Sequence, residues 1–84
     1  MYCVYATEQG VDLTGEVQLG TRQEMEQAVV RMMCLARHEA QLTGMPLSQY
    51  TVDVDWHGLD CRTDYGVERG LDSGCETIET RSVA

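Results

Sequence analysis

The sequence predicts an α+β domain in which an antiparallel sheet of three to five strands packs on one long helix, in the order ββαβ with one or two further strands. Three observations support this. Segments 2–7, 11–19 and 49–56 are rich in β-branched and aromatic residues or alternate apolar with polar side chains. Segment 21–43 carries apolar side chains at helical spacing. The chain has 84 residues, enough for one core and one domain.

The first two segments predict a β-hairpin. Residues 2–7 (YCVYAT) are followed by a polar turn that contains Gly10, and residues 11–19 (VDLTGEVQL) then alternate. Gly15 falls on the inner face of this second strand, where a bulge or a close-packed helix would explain it. The alternation predicts inward side chains at Val11, Leu13, Val17 and Leu19. It predicts outward side chains at Asp12, Thr14 and Glu16.

The helix has recognisable ends. Thr21 and Glu24 form a T-x-x-E capping box, Gly44 fits the left-handed position after the last turn, and Pro46 prevents continuation beyond Thr43. At 100° per residue, one broad sheet-facing side is predicted to contain Met25, Ala28, Val29, Met32, Leu35, Ala36 and Ala40.

A second apolar flank of the helix lies outside this sheet-facing side. Val30, Met33 and Cys34 fall among polar residues, so either the carboxyl-terminal segment or a second subunit is expected to cover them. These three residues are therefore the candidate homodimer contact. Cys3 and Cys34 both lie in apolar stretches, where a reduced and buried thiol is the ordinary interpretation.

Segment 49–56 (QYTVDVDW) has the clearest alternation of a strand, with Tyr50, Val52, Val54 and Trp56 on the inner side. Its outward residues are Thr51, Asp53, Asp55 and, one position further, His57. Together with Asp12 and Glu16, these aspartates predict an open sheet face that is acidic.

The segment 59–84 is acidic and rich in glycine, and it follows a core predicted to span residues 1–58. It contains three quartets, DYGV, ERGL and DSGC. Over residues 59–76 its carboxylates fall at even positions and its apolar residues at odd positions, which predicts one or two weaker strands, with a last one near 76–81. A glycine-rich loop with a frayed end is the alternative. The carboxylates that would extend the acidic face are Asp60, Asp64, Glu68 and Asp72.

No metal or catalytic motif is recognisable. The quartets do not match a calcium loop, and neither His57 with Cys61 and Cys75 nor Cys34 with His38 has the spacing of a common zinc module. Cys61 and Cys75 would pair only in an oxidising environment. Asp55 beside His57 is read as a solvated pair rather than a catalytic one, so we expect no cofactor and no enzymatic activity.

The charge indicates the kind of partner. Fourteen acidic residues against six arginines give a net charge of -8, which disfavours direct binding to nucleic acid and favours a basic protein surface, or solubility alone. The chain shows no signal peptide and no apolar run of membrane-spanning length, so a cytoplasmic location without membrane contact is expected. The absence of Phe, Lys and Asn suggests a GC-rich bacterial or phage genome.

In its small size, strong acidity and order of hairpin, helix, strand and charged tail, the chain resembles the small phage-encoded anti-CRISPR and anti-restriction proteins. The resemblance covers architecture and charge and carries no specific motif. It implies an inhibitor that occupies the basic groove of a nucleic-acid-binding defence complex. The carboxylates standing where phosphates bind would then be Asp12, Glu16, Asp53, Asp55, Asp60, Asp64, Glu68 and Asp72.

Overall fold

The computed structural model describes residues 1–57 and 75–84 and confirms the α+β architecture. Its elements are β1 (Tyr2–Glu8), β2 (Val11–Leu19), α1 (Arg22–Thr43), a short 3-10 helix (Leu47–Gln49), β3 (Tyr50–His57) and β4 (Cys75–Ser82). The four strands form one antiparallel sheet in the order β2-β1-β3-β4. The helix lies on one face of this sheet. Among the described residues, β2 and β4 are the outermost strands of the sheet.

The predicted hairpin is confirmed, and its turn explains the glycine. Gln9 and Gly10 both have positive φ, 51° and 80°, and they connect the paired residues Glu8 and Val11. Two consecutive positive φ values are those of a type I′ turn, whose twist matches that of the flanking strands. Glycine at the second position adopts this conformation without steric cost.

Both predicted helix ends are confirmed. At the start, the Thr21 hydroxyl accepts a hydrogen bond from the Glu24 N–H at 3.2 Å and donates one to the Glu24 carboxylate at 2.9 Å. At the end, Gly44 has a φ of 73° and its N–H donates to the carbonyl of Ala40. These contacts satisfy backbone groups that have no partner within the helix.

The core lies between α1 and the two central strands. Val4 and Ala6 of β1 and the inward residues of β3 meet the buried face of the helix. Six of the seven predicted helix positions are buried, namely Met25, Ala28, Val29, Met32, Ala36 and Ala40. Tyr50 is fully buried, and its hydroxyl lies 3.1 Å from that of Thr43 at the helix end.

Ion pairs tie the helix to both outermost strands. Arg31 of α1 donates to Glu16 of β2 at 2.9 Å. On the other side of the helix, Arg81 of β4 donates to both carboxylate oxygens of Glu26 at 2.9 Å and to Glu79 at 2.7 Å. The helix is therefore held at both flanks of the sheet.

The predicted facing of β2 is partly wrong. Leu19 packs against the core as expected, and Val11 lies on the helix side through its pairing with Glu8, although Val11 and Leu13 are 68% and 40% exposed. Thr14 and Glu16, predicted to point outward, lie on the helix side instead, where Glu16 meets Arg31. The reason is two register shifts against β1, with Gln18 at a φ of 63°. Each shift inserts a bulge, which changes which side chains point to the core.

Three further expectations need correction. Leu35 is 47% exposed rather than buried against the sheet, because it lies on the flank of the helix that faces β2. Cys34 is exposed, whereas Cys3 is buried as expected. Asp55 is only 4% exposed, so it does not belong to an open acidic face.

The last strand is confirmed, since β4 spans Cys75–Ser82 and includes the predicted segment 76–81. The quartet alternation, Cys61 with its alternative roles, and the carboxylates of Asp60, Asp64, Glu68 and Asp72 lie outside the described residues.

Candidate functional site

The candidate site is the sheet face opposite α1, called the outer face from here on. Residues paired across an antiparallel sheet share a face. Val4, Ala6, Val52 and Val54 face the helix, so the strand pairings show which residues lie on the outer face. The outer face consists of Cys3, Tyr5, Thr7, Asp12, Gly15, Thr51, Asp53, Asp55, Thr77, Thr80 and Ser82.

Hydroxyl groups bridge the strands across this face. The hydroxyls of Thr7 and Thr51 lie 2.6 Å apart, and the Thr77 hydroxyl donates to the Asp55 carboxylate at 2.8 Å. Thr7 is 3% exposed and Asp55 is 4% exposed. These inter-strand bonds give the buried polar groups of the face their partners, as buried polar groups require.

The aspartates of the outer face differ in exposure. Asp12 is exposed, Asp53 is half-buried and Asp55 is buried. Asp53 and Asp55 point the same way on β3, about 7 Å apart along the strand. Glu16, which the sequence placed with them, lies on the other side of the sheet. Within the described chain, Asp12 and Asp53 are therefore the outer-face carboxylates that are exposed or half-buried.

Next to the aspartates, Tyr5 lies across Gly15. A Cβ on Gly15 would stand 2.5 Å from Cδ1 of the Tyr5 ring and 2.8 Å from the carbonyl oxygen of Val4. The glycine thus leaves room for the tyrosine ring next to β2. The alternation of β2 predicts Gly15 on the inner face, which is wrong, because the register shifts of β2 pair Gly15 with Tyr5 on the outer face.

The described arginines lie on the opposite side of the sheet. Among residues 1–57 and 75–84, three arginines are on α1 and the fourth, Arg81, is ion-paired to it. The hydrogen bond from Arg81 lowers the pKa of Glu26 and that of Glu79, and the two carboxylates together raise the pKa of Arg81. In the same way, the hydrogen bond to Glu16 raises the pKa of Arg31.

The three residues of the predicted dimer contact do not share one exposed surface. Val30 is 61% exposed and Cys34 is exposed, whereas Met33 packs against the core. Val30 and Cys34 are four residues apart and lie on the side of the helix away from the sheet.

His57, which the alternation of β3 predicts on the outward side, is the last residue of that strand.

The described residues contain no group of three or more His, Cys, Asp or Glu side chains placed to hold a metal ion. Over the same residues, no helix has the length and apolar character needed to cross a membrane.

Comparison with family models, with curated proteins and with solved structures found no match.

Proposed function

We propose that this protein is a non-enzymatic binding protein whose outer face docks on a basic surface of another protein. The observation that supports the proposal is the distribution of the described arginines, which all lie on the helix side of the sheet, where two of them pair with Glu16 and Glu26. The described arginines are on α1 or bonded to it, whereas Asp12 and Asp53 lie on the opposite face. Complementary charge steers association and selects the partner's orientation.

The setting that fits this surface best is the one implied by the resemblance to small acidic phage proteins. In this proposal the partner is a nucleic-acid-binding defence complex of a bacterial host, and the protein inhibits it by occupying the groove that binds phosphates. Arginine and lysine in such a groove donate hydrogen bonds to carboxylates as well as to phosphates. The net charge of -8 gives the inhibitor the same sign as the nucleic acid that it would displace.

The test compares two charge-reversed variants of equal net charge. In Asp12→Lys/Asp53→Lys the substitutions fall on the outer face. In the control, Glu8→Lys/Glu76→Lys, the pairing with Tyr50 and Trp56 places both residues on the other face. Asp55 is left unchanged because it is buried and bonded to Thr77. Circular dichroism checks that both variants fold.

Each protein is added to purified defence complexes carrying fluorescently labelled nucleic acid, and release is followed by anisotropy. We expect wild type and the control to displace the nucleic acid from a complex, and the outer-face variant to fail. Added salt should weaken the wild-type effect. Equal displacement by the two variants, or no displacement from any complex, would refute the proposal.

A second candidate function is that of a homodimeric accessory module. Val30 and Cys34 are exposed on the side of α1 away from the sheet, and this favours the homodimer, since exposed apolar groups on a helix are typical of a protein contact. Light scattering distinguishes the candidates. A dimer that Val30→Glu dissociates would support the module, and a monomer at all concentrations would exclude it.

A further inference from the structure

A groove runs between β2 and the carboxyl-terminal half of α1, on the side of the sheet away from the outer face. Its volume is about 250 Å³. Ala6 and Ala36, both fully buried, form its floor. Leu13 and Leu35, which are 40% and 47% exposed, form its apolar walls. The remaining lining residues are Thr14, His38 and Glu39.

The orientation of the helix explains why apolar side chains are exposed here. Arg31 reaches Glu16, so the stripe that continues from Arg31 at helical spacing through Leu35 and Leu42 follows the β2 side of α1. Leu42 is 70% exposed, and Val11 at the start of β2 is 68% exposed. The groove is thus flanked by further apolar side chains that remain in water.

The charge at the groove favours a cation. Glu39 lies on the rim, and in the described part of the chain no arginine or histidine forms an ion pair with it. The last turn of α1 contains no basic residue, so the negative end of the helix dipole is not offset there by a side chain. A second copy of the chain would bring its own charge of -8, which opposes self-association.

We infer that this groove is a second binding site, which takes an aliphatic side chain that stands next to a positive charge on a basic partner protein. The apolar walls would remove the aliphatic part from water, and Glu39 with the helix end would receive the cation. This site is separate from the outer face, and testing it requires no knowledge of the partner.

The test uses n-hexylammonium as the probe, with n-hexanoate and n-hexanol as matched compounds of opposite and zero charge. Amide resonances of isotopically labelled protein are followed by NMR at pH 8 during each titration. We expect hexylammonium to give saturable shifts at Leu13, Thr14, Leu35 and Glu39. Hexanol should bind about two- to five-fold more weakly and hexanoate more weakly still, the range expected for one exposed ion pair.

Variants separate the apolar from the electrostatic contribution. Leu35→Ser should abolish the saturable shifts, whereas Val30→Ser, at an exposed position on another side of the helix, should leave them unchanged. Glu39→Gln should weaken hexylammonium about two- to five-fold and leave hexanol unaffected. Because Leu35 and Val30 are both substantially exposed, neither serine variant is expected to unfold the protein.

The inference is overturned if hexylammonium causes no saturable shift at the groove, or if hexanoate binds as well as hexylammonium. It is also overturned if the same resonances shift with protein concentration in the absence of probe, because a second copy would then occupy the groove. A negative result here leaves the outer-face proposal standing, since the two experiments use different surfaces.

Discussion

The two outermost strands of the described sheet are attached to the helix in different ways. On β4, Arg81 is 27% exposed and bonds carboxylates of both α1 and its own strand. On β2, the contact is a single pair, and its Arg31 is 52% exposed. Beyond that pair, the first half of β2 separates from the helix and leaves the apolar groove. The β4 side therefore has the less exposed arginine with two carboxylate partners, whereas the β2 side has a more exposed pair and the apolar groove.

Bulges account for this difference. β2 has two register shifts against β1, whereas β3 and β4 share one, between Val54 and Asp55. The shifts place Glu16 on the helix side of the sheet, and Leu13, which lies at the second shift, lines the groove. A pair between an arginine and a carboxylate is therefore present at both edges, and at β2 it is followed by the groove that Leu13 and Leu35 line.

The largest expected effect concerns the tight contact in β2. Gly15→Ala would place a methyl group within 2.5 Å of the Tyr5 ring and 2.8 Å of the Val4 carbonyl oxygen, and the backbone oxygen cannot move aside freely. We expect a loss of about 1 to 3 kcal/mol in the free energy of unfolding, as overpacking costs elsewhere. Urea denaturation measures it.

Gly20→Ala is the control for this substitution. Its nearest atom would be the flexible Glu24 carboxylate at 4.0 Å, so the same chemical change should have little effect on stability. Equal losses for the two alanine variants would contradict the close approach of Tyr5 to β2.

The next effect compares the two edges directly. Arg81→Gln should lower the melting temperature more than Arg31→Gln, because Arg81 bonds two carboxylates and its removal leaves Glu26 and Glu79 to repel each other. Thermal unfolding at low ionic strength measures the difference, which 1 M salt should reduce. Equal losses would show that the two edges are attached equally well.

The smallest expected effect concerns the free energy of unfolding at acidic pH. Because Arg81 lowers the pKa of Glu26 and of Glu79 below 4.5, both carboxylates stabilise the fold above that pH. Their contribution is lost as the pH falls through the lowered values. The stability advantage of wild type over Arg81→Gln should therefore narrow below about pH 4. An advantage that is constant with pH would contradict these shifts.

Local signals in the sequence predicted much of the fold. The capping box at Thr21, the glycine at position 44 and the alternation of β3 each depend on neighbouring residues, and each is confirmed. The facing of β2 could not be predicted, because its bulges arise from pairing with β1. The sequence pattern predicts that Leu13 and Leu35 face the core, whereas both line the groove.

The candidate site was predictable only in part. Alternation in β3 correctly placed Asp53 and Asp55 together on the outer face. The hydrogen bond to buried Asp55 comes from Thr77, which is 22 residues away on a strand whose register no sequence pattern specifies. For the same reason, Glu16 was grouped with the outer-face carboxylates, although its partner is on the helix.

The most direct test of the central proposal is cross-saturation NMR of the labelled protein bound to a defence complex from which it displaces nucleic acid. The proposal predicts that the amides of Tyr5, Asp12, Asp53 and Thr80 lose intensity when the partner is irradiated. Loss confined to the helix crest around Val30 and Cys34, with the outer face unaffected, would contradict it.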